Sequence, residues 1–254
     1  MTVPTSRRGI IVKTLEAWID SDVRPLQDKP LSWLSENHFF RDPVRATFID
    51  DTYFFSPADG IVLYQKEVKA DADLLDIKGR SYTLRHALRD PFYDKHSLVV
   101  GIFMTFFDVH VNRIPFSGRL SYRALSPIRT YNLPMLPTER TILDDLRIDT
   151  RKASYLHHNQ RVVNRIDAPT LGRSYYVLQV AEYDINAITP FGLEQNCQFT
   201  QGQRFSQIRF GSQVDLIVPL SGEWDFTPVI PTGCHVEAGL DPLIKIRRTT
   251  RATA

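Results

Sequence analysis

In the stretch Phe107-Asp-Val-His-Val-Asn-Arg113, an imidazole stands two residues after a carboxylate and two before a carboxamide. If the stretch is a β-strand, alternate side chains share a face, so Asp108, His110 and Asn112 line one side and Phe107, Val109 and Val111 the other. A histidine held between hydrogen-bonding neighbours can be fixed in one tautomer and work as a general acid or base near neutral pH. An edge strand with one wet face has the same alternation, so the pattern alone leaves both readings open. Asp59 lies in Ser56-Pro-Ala-Asp-Gly60, which reads as a hairpin turn where an aspartate also serves as a cap.

The elements that must position these residues read mainly as strands. Short β-branched and aromatic runs, Thr52 to Phe55 and Gly60 to Tyr64, flank the turn that holds Asp59. A helix-like interval spans 82–88, the apolar run 98–107 reads as the central strand, and 125–137 is a Pro-rich connection. Further strands fit 175–180, 214–219 and 242–246. Before them, Ile11, Leu15, Trp18 and Ile19 fall at the spacing of one helical face over 9–20, and Pro25 and Pro30 interrupt it. The expected fold is α+β with β dominant: an N-terminal helical arm, 1–45, on a twisted, mainly antiparallel β-sheet or barrel-like core, 46–254.

Composition narrows the function. The 254 residues carry 31 Lys+Arg against 29 Asp+Glu, a formal charge of +2, which does not suggest a nucleic-acid binder. Two cysteines, Cys197 and Cys234, cannot build a disulfide scaffold or a tetrahedral thiolate site, and no metal is expected. The run from Ser97 to Phe107 is about half of the roughly 20 residues that a membrane helix needs. Ser6-Arg-Arg-Gly9 faintly matches a twin-arginine signal, but Lys13, Glu16, Asp20 and Asp22 break the apolar region such signals require. The expectation is a cytoplasmic protein, soluble or peripheral to a membrane.

Several separated segments together resemble the pyruvoyl-dependent phosphatidylserine decarboxylases. They are Phe39-Phe-Arg-Asp-Pro43, Ser56-Pro-Ala-Asp-Gly60, Ile77-Lys-Gly79, Phe107-Asp-Val-His-Val-Asn-Arg-Ile-Pro115 with Ser117-Gly118, Asn159-Gln-Arg161, and Gly202 to Asp215. Each alone is weak, but six in the family's order are a strong signal. The resemblance implies that Ser212 attacks the carbonyl of Gly211, giving an ester that eliminates and leaves a pyruvoyl group on the new N-terminus. The catalytic set it implies is Ser212, His110 and Asp59, with Asp59 orienting a histidine that activates the serine. Asp108, Asn112 and Arg113 are supporting candidates. Glycine at 211 is apt, because it permits strained backbone angles and leaves its carbonyl open to the hydroxyl.

The same resemblance implies the reaction. A substrate amine forms a Schiff base with the pyruvoyl ketone, which accepts the electrons released as carbon dioxide leaves. Well-known members carry two histidines three residues apart in this segment, whereas this chain has His110 and then Arg113. It is similar instead to a shorter branch reading Asp-Val-His-Val-Asn-Arg. Either His110 serves both maturation and decarboxylation, or a remote histidine such as His86 or His157 contributes. Ser206 is a second departure, at a position where that branch has glycine. Phosphatidylserine is the favoured substrate, a free amino acid, an aromatic one included, the alternative, and a non-maturing binding protein of the same fold the reading from another class. The face of Ile11, Leu15, Trp18 and Ile19, with Trp33, fits a membrane interface or packing on the chain's own domain. Lys245, Arg247, Arg248 and Arg251 would add attraction to anionic lipid. A homodimer is expected by family analogy alone.

Overall fold

The computed structural model describes residues 2–5, 10–47, 49–182, 187–192 and 194–249. Arg7, Arg8 and Arg251 therefore lie outside the described residues. In chain order the strands are β1 (Thr2–Thr5), β2 (Ile10–Thr14), β3 (Tyr53–Phe55), β4 (Gly60–Val68), β5 (Leu75–Ile77), β6 (Arg80–Tyr82), β7 (Ser97–Met104), β8 (Val111–Arg113) and β9 (Gly118–Leu125). They continue with β10 (Arg161–Ala168), β11 (Arg173–Ala181), β12 (Ile188–Pro190), β13 (Cys197–Phe199), β14 (Arg204–Ile208), β15 (Ser212–Pro219), β16 (Trp224–Pro228), β17 (Cys234–Val236) and β18 (Pro242–Arg248). The α-helices are short: α1 (Leu15–Trp18), α2 (Leu31–Asn37), α3 (Leu84–Leu88), α4 (Leu136–Leu143) and α5 (Tyr155–His158).

Ten strands form one sheet in the order β1-β2-β17-β4-β7-β15-β11-β10-β9-β13. Every neighbouring pair is antiparallel. The fold is β-dominant as expected, but the sheet is open, with β1 and β13 at its ends, and the barrel-like expectation gives way to it. Its centre is β7 and β15, paired from Ser97↔Pro219 to Met104↔Ser212. Both are buried at every position, because the sheet is covered on both faces. One face carries Val100, Ile102, Val214 and Leu216 into a core with Phe54 and Phe116. The other carries Val99, Phe103 and Ile217 into a core with Leu63 and Tyr155. Two-sided burial explains why these strands read as nearly continuous apolar runs and not as an alternation.

Two expectations are corrected. The segment 9–20 is not one helix: β2 pairs through Lys13↔His235 and Thr14↔Cys234, and Thr14 then caps the single turn of α1. Leu15 and Trp18 are buried and Ile19 and Trp33 pack against the same core, so this apolar face rests on the chain's own domain. The run 98–107 also ends early, at Met104. Thr105–Asp108 form a turn closed by Asp108 N–H to the Thr105 carbonyl at 3.2 Å, and by Asp108 Oδ2 accepting from Thr105 N at 2.7 Å and Oγ1 at 2.8 Å. The single-face alternation of Asp108, His110 and Asn112 is lost with it. Among the described residues, no helix is long and apolar enough to cross a membrane.

Close approach fixes one glycine in the central strand. The Tyr64 ring lies over Gly101, where a Cβ would overlap it. Gly101→Ala is expected to destabilise the protein by about 1–3 kcal/mol through overpacking, read as a lowered urea midpoint at unchanged slope.

Candidate active site

Ser212 is the first residue of β15, held between Met104 on β7 and Ala181 on β11. Its side chain is fully buried, and its hydroxyl donates to the Met104 thioether at 3.2 Å. Sulfur is a weak acceptor, so the hydroxyl proton is only lightly held. Asn112 Nδ2 reaches the same sulfur at 3.6 Å, which brings the expected supporting residue beside the serine. Gln179 Nε2 donates to Asn112 Oδ1 at 2.7 Å and to Ser206 Oγ at 3.0 Å, and Ser206 donates on to the Thr189 carbonyl. Ser206 thus anchors the network that holds Asn112.

The peptide before Ser212 is under two constraints. Phe210 adopts the left-handed conformation, φ 64°, which costs a bulky residue on the order of 1 kcal/mol or more. The strained residue is thus Phe210 and not Gly211, whose own requirement is steric: a Cβ there would overlap Glu182 Oε2. Glu182 Oε1 accepts from Met135 N at 2.6 Å, and Glu139 Oε1 from Phe106 N at 2.9 Å. The second oxygen of each carboxyl is buried without a partner among the described residues. Burial, reinforced by the charges of Glu182 and Asp108, pushes Glu139 up to about 8, and burial also raises Glu182. Glu139 therefore keeps its proton near neutral pH, and it and Glu182, whose carboxyl burial raises as well, lie against Gly211.

His110 is fully buried and lies edge-on against Phe39 at 4.9 Å; Phe39 also meets Phe210 at 6.2 Å. The His110 carbonyl accepts from Ile208 N at 3.0 Å, so the histidine borders the segment leading to Gly211. Its Nε2 lies 2.9 Å from the Thr105 carbonyl, which can only accept, so the ring proton is on Nε2. Nδ1 is left as a buried lone pair without a partner. Burial lowers the imidazole's pKa and keeps it neutral. A neutral, tautomer-fixed histidine with a bare nitrogen is a poised proton acceptor.

The carboxylates are allotted differently from the expected scheme. Asp108 pairs with His235, Oδ1 to Nε2 at 2.6 Å, not with His110. Burial alone would raise Asp108, but the His235 charge and the hydrogen bonds bring it below its ordinary value. Burial would lower His235, and Asp108 overrides it and raises it. Trp18 stacks on the His235 ring at 4.7 Å. Asp59 does not hydrogen-bond a histidine: Arg45 grips both its oxygens, at 2.7 and 2.6 Å, and Ala238 N donates to it at 2.7 Å. Asp59 thus anchors the loop after β17 and contributes negative charge to both histidines. Arg113 donates to the Gly202 carbonyl at 3.0 Å and meets Asp42 at 3.4 Å, while Arg41 holds the Phe107 and Asp108 carbonyls. His86 and His157 contact each other, and no bond joins either to Ser212, His110 or Asp108 among the described residues.

A buried Gly-Ser junction, strained just upstream, packed against two carboxyls that burial raises and preceded by a segment bonded to the backbone of a histidine with a bare ring nitrogen, has the groups that chemistry on its own backbone needs. The phosphatidylserine decarboxylase family model matches residues 37–243, and the chain belongs to that family of carboxy-lyases. It is 32% identical over 209 residues to the phosphatidylserine decarboxylase proenzyme of Novosphingobium aromaticivorans, covering 82% of this chain and 71% of the relative. It is 31% identical over 185 residues to the proenzyme so named from Ehrlichia chaffeensis, covering 72% and 65%. With that of Ralstonia pickettii it shares 29% over 208 residues, 82% and 77% of the two chains.

The buried Asp108–His235 pair has a defined pH window. His235, raised, contributes stability below its unfolded-state pKa of about 6.5 and loses it as pH rises through the folded value. Asp108, lowered, contributes above its unfolded value and loses it as pH falls through the folded one. Asp108→Asn is expected to cost about 3–5 kcal/mol at pH 6, shrinking as the pH is raised past the His235 transition, as measured by urea unfolding across pH.

Proposed function

We propose that the chain cuts itself between Gly211 and Ser212, into 1–211 and 212–254, and then decarboxylates phosphatidylserine to phosphatidylethanolamine. The observation that carries the first half is the buried Ser212 hydroxyl, directly after a glycine and beside a weak acceptor. Ser212 Oγ gives up its proton and attacks the Gly211 carbonyl carbon; the peptide C–N bond breaks as an ester C–O bond forms. Elimination then removes the Ser212 α-proton and expels the Gly211 carboxylate. The dehydroalanine left at 212 rearranges to an imine, which water hydrolyses to the pyruvoyl group and ammonia.

The surrounding residues fit these demands. His110, with its lone pair on Nδ1, is the base we assign to the serine proton. Glu139 keeps its proton near neutral pH and burial raises Glu182 as well; both lie beside Gly211, and we assign them to supply the proton that the cleaved amide nitrogen takes up. Asp59 and Asp108 hold the loop and turn that carry this machinery. Asn112 positions Ser212 through their shared contact with Met104, and Arg113 pins the β8 end of the site to Asp42. Once formed, the pyruvoyl ketone supplies an electron sink for carbon dioxide loss, and a second use of His110 as proton donor to the α-carbon is our reading of the single histidine in this segment. The substrate assignment rests on the family and its similarly named relatives; action at a membrane surface goes with it. The division into an N-terminal arm, 1–45, and a decarboxylase core, 46–254, is retained as part of this proposal.

Intact mass under denaturing conditions tests maturation. Wild-type protein is expected as two fragments split after Gly211, the smaller one ammonia lighter than hydrolysis would leave it, and Ser212→Ala as one uncut chain. Uncut wild type would overturn the reading. Glu182→Gln and His110→Ala are each expected to slow cleavage by about 10²-fold or more, timed by gel from synthesis. Carbon dioxide release from phosphatidylserine vesicles, against free amino acids, tests the substrate.

A further inference from the structure

A cavity of about 470 Å³ opens away from these residues between β6, α3 and α5. Arg80, Arg85, His86, Arg89 and His157 line it, with Asp90 the single carboxylate among its lining residues. Arg80, Arg85 and Arg89 form no ion pair among the described residues. Arg89 Nε and His157 Nε2 are buried without partners. Thr83 N donates to His86 Nδ1 at 3.2 Å, so the His86 proton sits on Nε2 as a donor. Arg161, fully buried, donates to the Ala87 and Leu156 carbonyls and adds positive charge behind the helix that carries His86. Cations gathered this closely repel one another, and an anion bound among them would offset that repulsion. Burial, with Arg80, His86 and His158, drives His157 down to about 4, and burial with Arg161 brings Arg89 down to about 10.

The rim is apolar. Ile128 lines the cavity at 64% exposure, and Phe92, next to lining Pro91, is 89% exposed. We propose that this cavity binds a phosphate group, carried by an anionic lipid headgroup or free in solution, through Arg80, Arg85, His86 and His157. Guanidinium forks and imidazole donors match phosphate oxygens, and apolar side chains beside them suit a headgroup whose acyl chains lie in a bilayer. The proposal is independent of the self-cleavage reading, because its readout is binding and not turnover.

Titration calorimetry of the purified full chain with inorganic phosphate, and flotation with phosphatidylcholine vesicles with and without phosphatidylglycerol, test it. Arg80→Gln/Arg85→Gln alters exposed side chains, and its thermal unfolding is compared with wild type to verify folding. Arg247→Gln/Arg248→Gln removes equal charge elsewhere as the control. Phosphate binding weakened about tenfold or more in the first variant and unchanged in the control is the expected result. Flotation with phosphatidylglycerol that the first variant and Phe92→Ser both abolish assigns the phosphate to lipid, whereas calorimetric binding without pocket-dependent flotation assigns it to solution. Neither ligand distinguishing wild type from the Arg80/Arg85 variant, or equal losses in the control, would overturn the site.

Discussion

The pairing of β15 between β7 and β11 is the constraint on which the rest depends. It sets Ser212 opposite Met104 and Ala181, and with them the serine's acceptor and the start of the chain leading to Glu182. It also carries Asp215 under the centre of the sheet, where Tyr64 and Gln213 satisfy its carboxyl and burial pushes it up to about 6. The segment 212–254 is woven in further by β17 between β2 and β4 and by β18 beside β3. A backbone cut before Ser212 would sever one peptide bond and leave these ladders intact.

Much of the fold was legible because apolar runs such as β7 and β15 have few other uses in a chain this polar. What escaped was local turn chemistry and distant pairing. The apolar run through Phe107 reads as continuous strand, yet Asp108 reaches back to Thr105 and breaks the ladder there, so His110 does not share a face with the neighbours that strand parity gives it. The partner Asp108 does use, His235, is 127 residues away and lies in a three-residue strand with no signature of its own. Arg45 and the two glutamates were missed for the same reason: nothing near them in sequence announces the groups they meet. The motif around Phe39 was recognised as a resemblance, and its physical basis is now explicit. Phe39 packs His110, Arg41 holds the turn carbonyls, and Asp42 meets Arg113 and Arg204.

Polar groups in this site are buried but shared out with few left over. Asp59, Asp108, Asn112 and Arg113 are each tied to named partners, which makes them scaffolding of fixed geometry. Among the described residues' partnerless atoms, Glu139 Oε2 and Glu182 Oε2 lie by Gly211, and His110 Nδ1 belongs to the histidine whose backbone carbonyl holds the segment leading to it. Buried polar atoms are rarely left unsatisfied, and three together mark where the structure reserves hydrogen-bonding capacity for chemistry.

Glu139 and Glu182 would also act on the chain once it is cut. A chain ending at Gly211 terminates in a new carboxylate, placed against Glu182 and near Glu139 in surroundings that already resist ionising two. Three such groups cannot share that space as anions, and Glu139, which keeps its proton near neutral pH, can donate it in a hydrogen bond to the new carboxylate. The severed terminus would thus be clasped while Glu139 keeps its proton, and as the pH rises through about 8 the clasp would turn into like-charge repulsion that pushes the end outward.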